Sequence, residues 1–288
     1  MYSPQTAEKS APFFDYSRRN LELPDLAKQY AVNKPLPHVL IRGFLDAGIA
    51  NAVAEEFPSA QSQAWIQYKH PNERKRGLTK RDVFPDGLGE IVDELNSPRF
   101  VNWLSQLTGI PDLIADPTLE GGGLHQSTRG GFLNLHTDFS HHHHHKTWKR
   151  RINLILYLNP GWETGWGGDI EFWDAGMQSC LVKYPPLLND ALIFNTDERY
   201  FHGFPEPVKC PDGESRKSLA LYYYTLERDP KTAPRSTNYR SRPEDGIGKS
   251  ALIWLDKQAV DLYSRAKARF GFSDDFASRV LGFISGRK

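Results

Sequence analysis

Cysteine is almost missing from this chain, with only Cys180 and Cys210 among 288 residues. That excludes a disulfide-stapled scaffold, allows one bridge at most, and fits a reducing compartment in which both thiols are free. No stretch approaches the roughly 18 apolar residues of a membrane-spanning helix. The opening residues, Met1 to Asn20, contain no apolar run of the kind a secretory leader needs, so a cytoplasmic location is expected. Charge of one sign is absent too. Thirty-six basic side chains face 35 acidic ones, and a formal net charge of +1 argues against a general nucleic-acid binder. There is no internal repeat, and the single low-complexity segment is His141–His145.

What the chain does contain is a change of texture. Residues 1–35 are polar and aperiodic, and a loosely draped N-terminal arm is expected there. Residues 36–116 form a support region: a strand over Leu36–Ile41, a helix capped by Asp46 and ended by Pro58, then a charged excursion from Tyr68 to Asp86. Helical spacing follows in Leu88, Ile91, Leu95, Phe100, Leu104 and Leu107, broken into two helices by Asn96-Ser97-Pro98. The charged run from Asn72 to Arg81 is expected to be a mobile surface loop, with closure over a site as its functional reading.

From residue 117 to 228 short runs of period two alternate with Gly, Pro, Asn and Asp. The clearest strands are Phe132–Asp138, Arg151–Leu158, Gly168–Phe172, Ala191–Phe194 and Ser218–Thr225. Short strands without helices between them point to an antiparallel sandwich or barrel, with a jelly roll as the expected version. Residues 229–288 begin basic and then become helical, from about Ser250 to Phe270 and again near Asp275–Phe283. Their apolar residues, Leu252, Trp254 and Leu255 among them, are expected to cover the fold or a second subunit of a homodimer.

The chemistry begins at His136-Thr137-Asp138. Side chains two apart on a strand share a face, so His136 and Asp138 can grip one metal ion while Thr137 points away. Asn134 is expected on their face. Such a pair alone also fits a surface ion pair, but His202 supplies a third ligand. Two His and one carboxylate form a facial triad that leaves coordination positions open. Further on, Arg216 and Ser218 share a face; a guanidinium fork with a neighbouring hydroxyl suits a dicarboxylate end group. Asn153 and Tyr157, four apart on one strand, are expected to line the same pocket with Arg151 beside them. Asn134 and Gln126 are further pocket candidates. His141–His145 reads as a solvent-facing loop at the rim, and Trp162, Trp166 and Trp173 as packing residues.

In this order and spacing, His136-x-Asp138, His202 and Arg216-x-Ser218 resemble the Fe(II)- and 2-oxoglutarate-dependent oxygenases, most closely their prolyl-4-hydroxylase-like branch with its bacterial members. The resemblance extends to Arg151–Asn159, Gly167–Phe172 and Ala191–Phe194. It implies a mainly β fold with flanking helices around a double-stranded β-helix (jelly-roll, cupin-like) core. It implies Fe(II) on His136, Asp138 and His202, and 2-oxoglutarate anchored by Arg216 with Ser218 assisting. O2 is the second cosubstrate, succinate and CO2 the coproducts, and ascorbate a candidate auxiliary.

The implied reaction is hydroxylation of an unactivated C–H bond in a small-molecule or peptidyl substrate. Halogenating relatives generally lose the carboxylate ligand, and Asp138 is present. Prolyl hydroxylases commonly carry a Tyr shortly before the His-x-Asp motif and often a Lys anchor; here stand Leu124–Arg129 and Arg216. Prolyl hydroxylation of a protein is one alternative, and a non-catalytic cupin-like metal-binding protein is another.

Overall fold

The computed structural model describes residues 12–228 and 235–270, with side chains up to residue 258. Helix α1 (Tyr16–Val32), strand β1 (His38–Ile41) and helix α2 (Ala47–Glu55) lead into a hairpin of β2 (Ile66–His70) and β3 (Glu73–Leu78). Helices α3 (Asp86–Leu95) and α4 (Pro98–Thr108) follow, then β4 (Ile114–Ala115), β5 (Gly123–Thr128), β6 (Phe132–Thr137) and β7 (Trp148–Tyr157). The remaining strands are β8 (Ile170–Trp173), β9 (Cys180–Tyr184), β10 (Ala191–Asn195), β11 (Phe201–Phe204), β12 (Ser215–Leu226) and β13 (Asn238–Tyr239), before helix α5 (Ile247–Phe270).

Every strand pair is antiparallel, and the main path runs β1-β10-β7-β12-β5-β3-β6-β11-β8-β9. Neighbours distant in sequence alternate along it, which makes the curled jelly-roll sheet. Strand β12 shows how alternation divides the two faces. Leu219, Leu221 and Tyr223 join the large apolar core under the helices, while Arg216, Ser218, Ala220 and Tyr222 line an interior cavity. The Tyr223 hydroxyl donates to the Leu95 carbonyl at 2.9 Å, pinning α3 to the sheet. Local signals work as expected: Asp46 caps α2 through the Gly48 and Ile49 N–H groups, and Ser97 caps α4 behind the break at residue 96. No helix among the described residues is long and apolar enough to cross a membrane. Cys180 and Cys210 are both free.

Four expectations are corrected. The draped arm is in its described part a helix: α1 buries Tyr16, Arg19, Leu26 and Tyr30, and Phe14 ahead of it packs on Tyr16, Phe44, Phe100 and Trp103. Its polar composition concealed a few well-placed aromatic anchors. The charged loop is the β2–β3 hairpin, and β3 lies inside the sheet between β5 and β6. Its tip is fixed on both sides. Buried Asn72 accepts two hydrogen bonds from Asn134 of β6 and donates to Asp256 of α5 at 2.7 Å, while His70 meets the other Asp256 oxygen at 2.8 Å.

The His run is only half solvent-facing. His141 contacts Glu227 at 2.9 Å, and fully buried His142 sits between Asp116 and Glu120. On α5 the docked residue is Ile253, 3% exposed, whereas Leu252, Trp254 and Leu255 face outward at 48–59%. The helix expected near Asp275–Phe283, and the start of the basic stretch at residues 229–234, lie outside the described residues.

The N-terminal correction carries its own test. Phe14→Ala empties a fully buried aromatic site and should cost about 3–5 kcal/mol. A urea midpoint unchanged from the parent protein would mean that this segment does not pack.

Candidate active site

The cavity lies inside the curled sheet, encloses about 80 Å³, and is lined by His136, Asp138 and His202 at one place and Arg216 and Ser218 at another. The three metal-ligand candidates come from two adjacent strands. His136 of β6 stands in register opposite His202 of β11, with ring centroids 4.5 Å apart. Asp138 lies one residue beyond β6, its oxygens 3.8 Å from His136 Nε2 and 3.5 Å from His202 Nε2. The three ligand atoms all fall within 4.8 Å of one another.

The donor set suits a first-row divalent ion. Bonds of roughly 2.0–2.2 Å place neighbouring ligands about 3 Å apart, so small side-chain rotations suffice. The His136 Nδ1–H donates to the Asn134 carbonyl at 2.9 Å, which fixes the tautomer whose free Nε2 faces the triad.

Electrostatics prepares these groups for a cation. Burial pushes His136 down to about 3, helped by the neighbouring His202, and burial also lowers His202. Both imidazoles are therefore neutral ligands at ordinary pH. Burial would raise Asp138, but Arg150, His202, His136 and the Asn153 hydrogen bond outweigh it and hold the carboxyl at about 2. Arg150 Nη2 lies 3.2 Å from Asp138 Oδ1. Unit charges at that distance attract by about 5 kcal/mol at an effective dielectric near 20, enough to offset a desolvation penalty of several kcal/mol.

The second pole is Arg216, 5% exposed. Its Nε donates to the Gly168 carbonyl at 2.7 Å and its Nη2 to the Tyr157 hydroxyl at 3.4 Å, while Phe204 lies 4.2 Å beneath the guanidinium. Gly168 has φ +77°, and a Cβ there would press on Arg216 Cδ at 3.0 Å, so glycine permits this seat. Among the described residues Nη1 has no hydrogen-bond partner, which leaves part of the fork available to an oxyanion in the cavity. Ser127 is the in-register neighbour of Arg216 on β5, and Ser218 follows on the same face of β12.

Strand alternation misplaced several neighbours, and two β-bulges explain most of the errors. The β6–β11 register shifts between His136 and Leu133, so Leu133 lines the cavity while Asn134 turns away to bond Asn72. The β7–β12 register shifts at Arg151, which brings Arg150 rather than Arg151 onto the Asn153 face. Asn153 lines the cavity as expected, whereas Tyr157 stands behind Arg216 as its support. Gln126 faces the other side of β5, bonded to Ser215, and His125 and Ser127 take the cavity face. Lys75 of β3 and Tyr239 of β13, whose ring is 5.4 Å from that of His136, were missed altogether. Trp162 and Trp173 pack in apolar clusters outside the cavity lining, with Trp166 against Trp162.

A curled antiparallel sheet holding two His, one Asp and an inward Arg offers a candidate metal site, and residues 122–224 match the family model of the 2OG-Fe(II) oxygenase superfamily. The matched residues run from just before β5 into β12 and include His136, Asp138, His202 and Arg216. Prolyl 3-hydroxylase OGFOD1 of Xenopus laevis is 23% identical over 268 residues, spanning 88% of this chain and 48% of its own. The chain therefore covers about half the length of that curated relative.

A prolyl 4-hydroxylase from Phytophthora capsici superposes with a TM-score of 0.53 at 19% identity, over 77% of this chain and 69% of that one. A prolyl hydroxylase from Trichoplax adhaerens, solved with a hypoxia inducible factor oxygen degradation domain peptide fragment, gives 0.51 at 17% identity over 72% and 91%. These two likenesses establish the shared fold.

The buried titrating groups set a pH dependence for the metal-free protein. An unfolded chain protonates His136 near its ordinary 6.5, but the folded chain resists until about 3, so the unfolded state binds more protons across that window. Stability should be complete above about pH 6.5 and fall steadily below it. Asp138 acts with the same sign lower down, its contribution being lost as pH drops from 3.8 toward 2. Urea midpoints of chelator-treated protein at pH 7.5, 6.5 and 5.5 should decline in that order; a flat series would contradict the burial of His136.

Proposed function

We propose that this protein is an Fe(II)- and 2-oxoglutarate-dependent dioxygenase that hydroxylates an unactivated C–H bond of a small-molecule or peptidyl substrate, with succinate and CO2 as coproducts. The observation that carries this reading is the convergence of His136, Asp138, His202 and Arg216 on one interior cavity. Bound Fe(II) with 2-oxoglutarate supplies the activation of O2, and the rest is positioning by the protein. His136 and His202 offer neutral Nε2 atoms, Asp138 offers one negative charge, and Arg216 takes the distal carboxylate of the cosubstrate with Ser218 and Ser127 beside it. Asn153 steadies Asp138, and Tyr157 steadies Arg216. Leu133, Ile155, Ile170 and Phe204 give the cavity apolar walls that limit water beside the metal.

A cupin-like binding protein needs no buried, half-satisfied arginine opposite its metal, which disfavours the non-catalytic alternative. The similarity to prolyl hydroxylases favours a prolyl residue as the second substrate reading. A cytoplasmic site of action rests on the scarcity of cysteine, and self-association on the outward face of α5; both belong to the same proposal. Ascorbate as auxiliary reductant rests on the family resemblance alone.

Anaerobic protein given Fe(II) and 2-oxoglutarate should develop a weak visible charge-transfer band. His136→Ala and Asp138→Ala should abolish both the band and succinate formation, and a wild-type protein lacking both would refute the assignment. Arg216→Ala should raise the 2-oxoglutarate concentration needed for half-maximal succinate formation about tenfold or more, since one charge-assisted contact is lost. An unchanged requirement removes Arg216 from the cosubstrate site. Mass gain of one oxygen, screened across metabolite extracts and proline-containing peptides, would separate the substrate readings.

A further inference from the structure

We propose that Arg150 is a positioning residue that sets the orientation in which Asp138 meets the metal, and that the β-bulge at Arg151 exists to deliver it. The inference rests on the metal-site reading above and adds a residue that the sequence pattern assigns to the wrong face. Asp138 stands past the end of β6, so no strand ladder holds its backbone or its side chain.

What holds the carboxylate is a closed triangle. Arg150 Nη2 approaches Oδ1 at 3.2 Å, Asn153 Nδ2 donates to Oδ2 at 2.8 Å, and Arg150 Nε donates to Asn153 Oδ1 at 2.9 Å. Oδ2 is hydrogen-bonded to Asn153, Oδ1 faces the Arg150 cation in an ion pair without hydrogen-bond geometry, and the two partners are hydrogen-bonded to each other. A carboxylate free to rotate can present one oxygen or both to a cation. Held in this triangle, Asp138 presents a single orientation before the ion arrives.

Arg150 is itself immobilised. It is 3% exposed, with its guanidinium 3.4 Å from the Tyr222 ring centroid and 4.5 Å from that of Phe139. It does not line the cavity, so its influence reaches the metal through Asp138. The bulge supplies the geometry. In β7, Ile152, Leu154 and Leu156 face the apolar core, and unbroken alternation would put Arg150 among them. A buried charge there would lack a partner, at great cost. One extra residue in the register, Arg151, turns Arg150 to the Asn153 face, opposite Tyr224 of β12.

Mn(II) titration of chelator-treated protein, followed by electron paramagnetic resonance, reads this role without turnover. Arg150→Met should bind Mn(II) about 10–100-fold more weakly than the parent, the range expected when the partner of a metal ligand is removed. Its anaerobic Fe(II)–2-oxoglutarate band should shift or broaden. Arg150→Lys keeps the charge but lacks the fork, so it should fall between the two; Arg151→Ala should match the parent.

Unchanged Mn(II) affinity and band in a folded Arg150→Met protein overturn the proposal. If circular dichroism shows that Arg150→Met fails to fold, Arg150→Lys decides: parental affinity and an unshifted band would show that the fork does not orient Asp138. A parent protein that binds no Mn(II) and shows no band would overturn the metal site and this proposal together, a pattern distinct from variant-specific loss.

Discussion

The cross-strand pairing of His136 with His202 is the constraint on which the site depends. These residues come from separate parts of the chain and can share a metal position only because β6 and β11 meet in one register. A slip of one residue would turn either ring to the other face of the sheet. The register is guarded by shape as well as by hydrogen bonds. Gly203 follows His202 where a Cβ would lie 2.6 Å from the Leu133 carbonyl and 2.8 Å from that of Asn134, so only glycine lets β11 approach the bulged part of β6. The same bulge frees Asn134 to hold the hairpin tip while its carbonyl orients the His136 ring. One backbone irregularity thus serves the ligand, its tautomer and the wall above it.

Two buried arginines divide the electrostatic work. Arg150 is committed to Asp138 and keeps that carboxylate ionised against burial. Arg216 is held by a carbonyl, a tyrosine hydroxyl and an aromatic face, none of which neutralises it. Burial lowers its pKa; Asp169 opposes this only from a distance, and among the described residues no acid forms an ion pair with it. A cation so placed is stabilised by any dicarboxylate that completes it. The cavity therefore has one pole whose charge is compensated by an ion pair and one pole held by neutral groups alone among the described residues.

Much of this was legible before any coordinates. Period-two runs located β6, β7, β8, β10 and β12 within a few residues, and Asp46, Ser97 and Pro98 marked helix boundaries through capping. The residues His136, Asp138, His202, Arg216 and Asn153 could be read as one constellation because strand alternation holds where they lie. Bulges have no sequence signature, and both lie next to the site, so Arg150 and Leu133 were hidden while Arg151 and Asn134 were favoured. The β2–β3 hairpin was hidden for a different reason. Lys75 is charged because it faces a polar cavity, and charge at that spacing looks like a solvated loop. His142, buried between two carboxylates, was masked by its exposed neighbours His143 to His145.

The grip of Asp256 on the hairpin tip has a consequence for assembly. That hydrogen bond spans 184 residues of chain, so α5 must be in place before Asn72 is clamped from both sides. Closing so long a loop costs entropy that rises only slowly with its length, but it cannot be recovered until the sheet between the two ends has formed. As the chain emerges during synthesis, β3 can pair with β5 and β6 first, and the Asp256 side of the clamp closes last. An unfinished chain would hold its metal-ligand candidates in register beside a hairpin tip fastened from the Asn134 side alone.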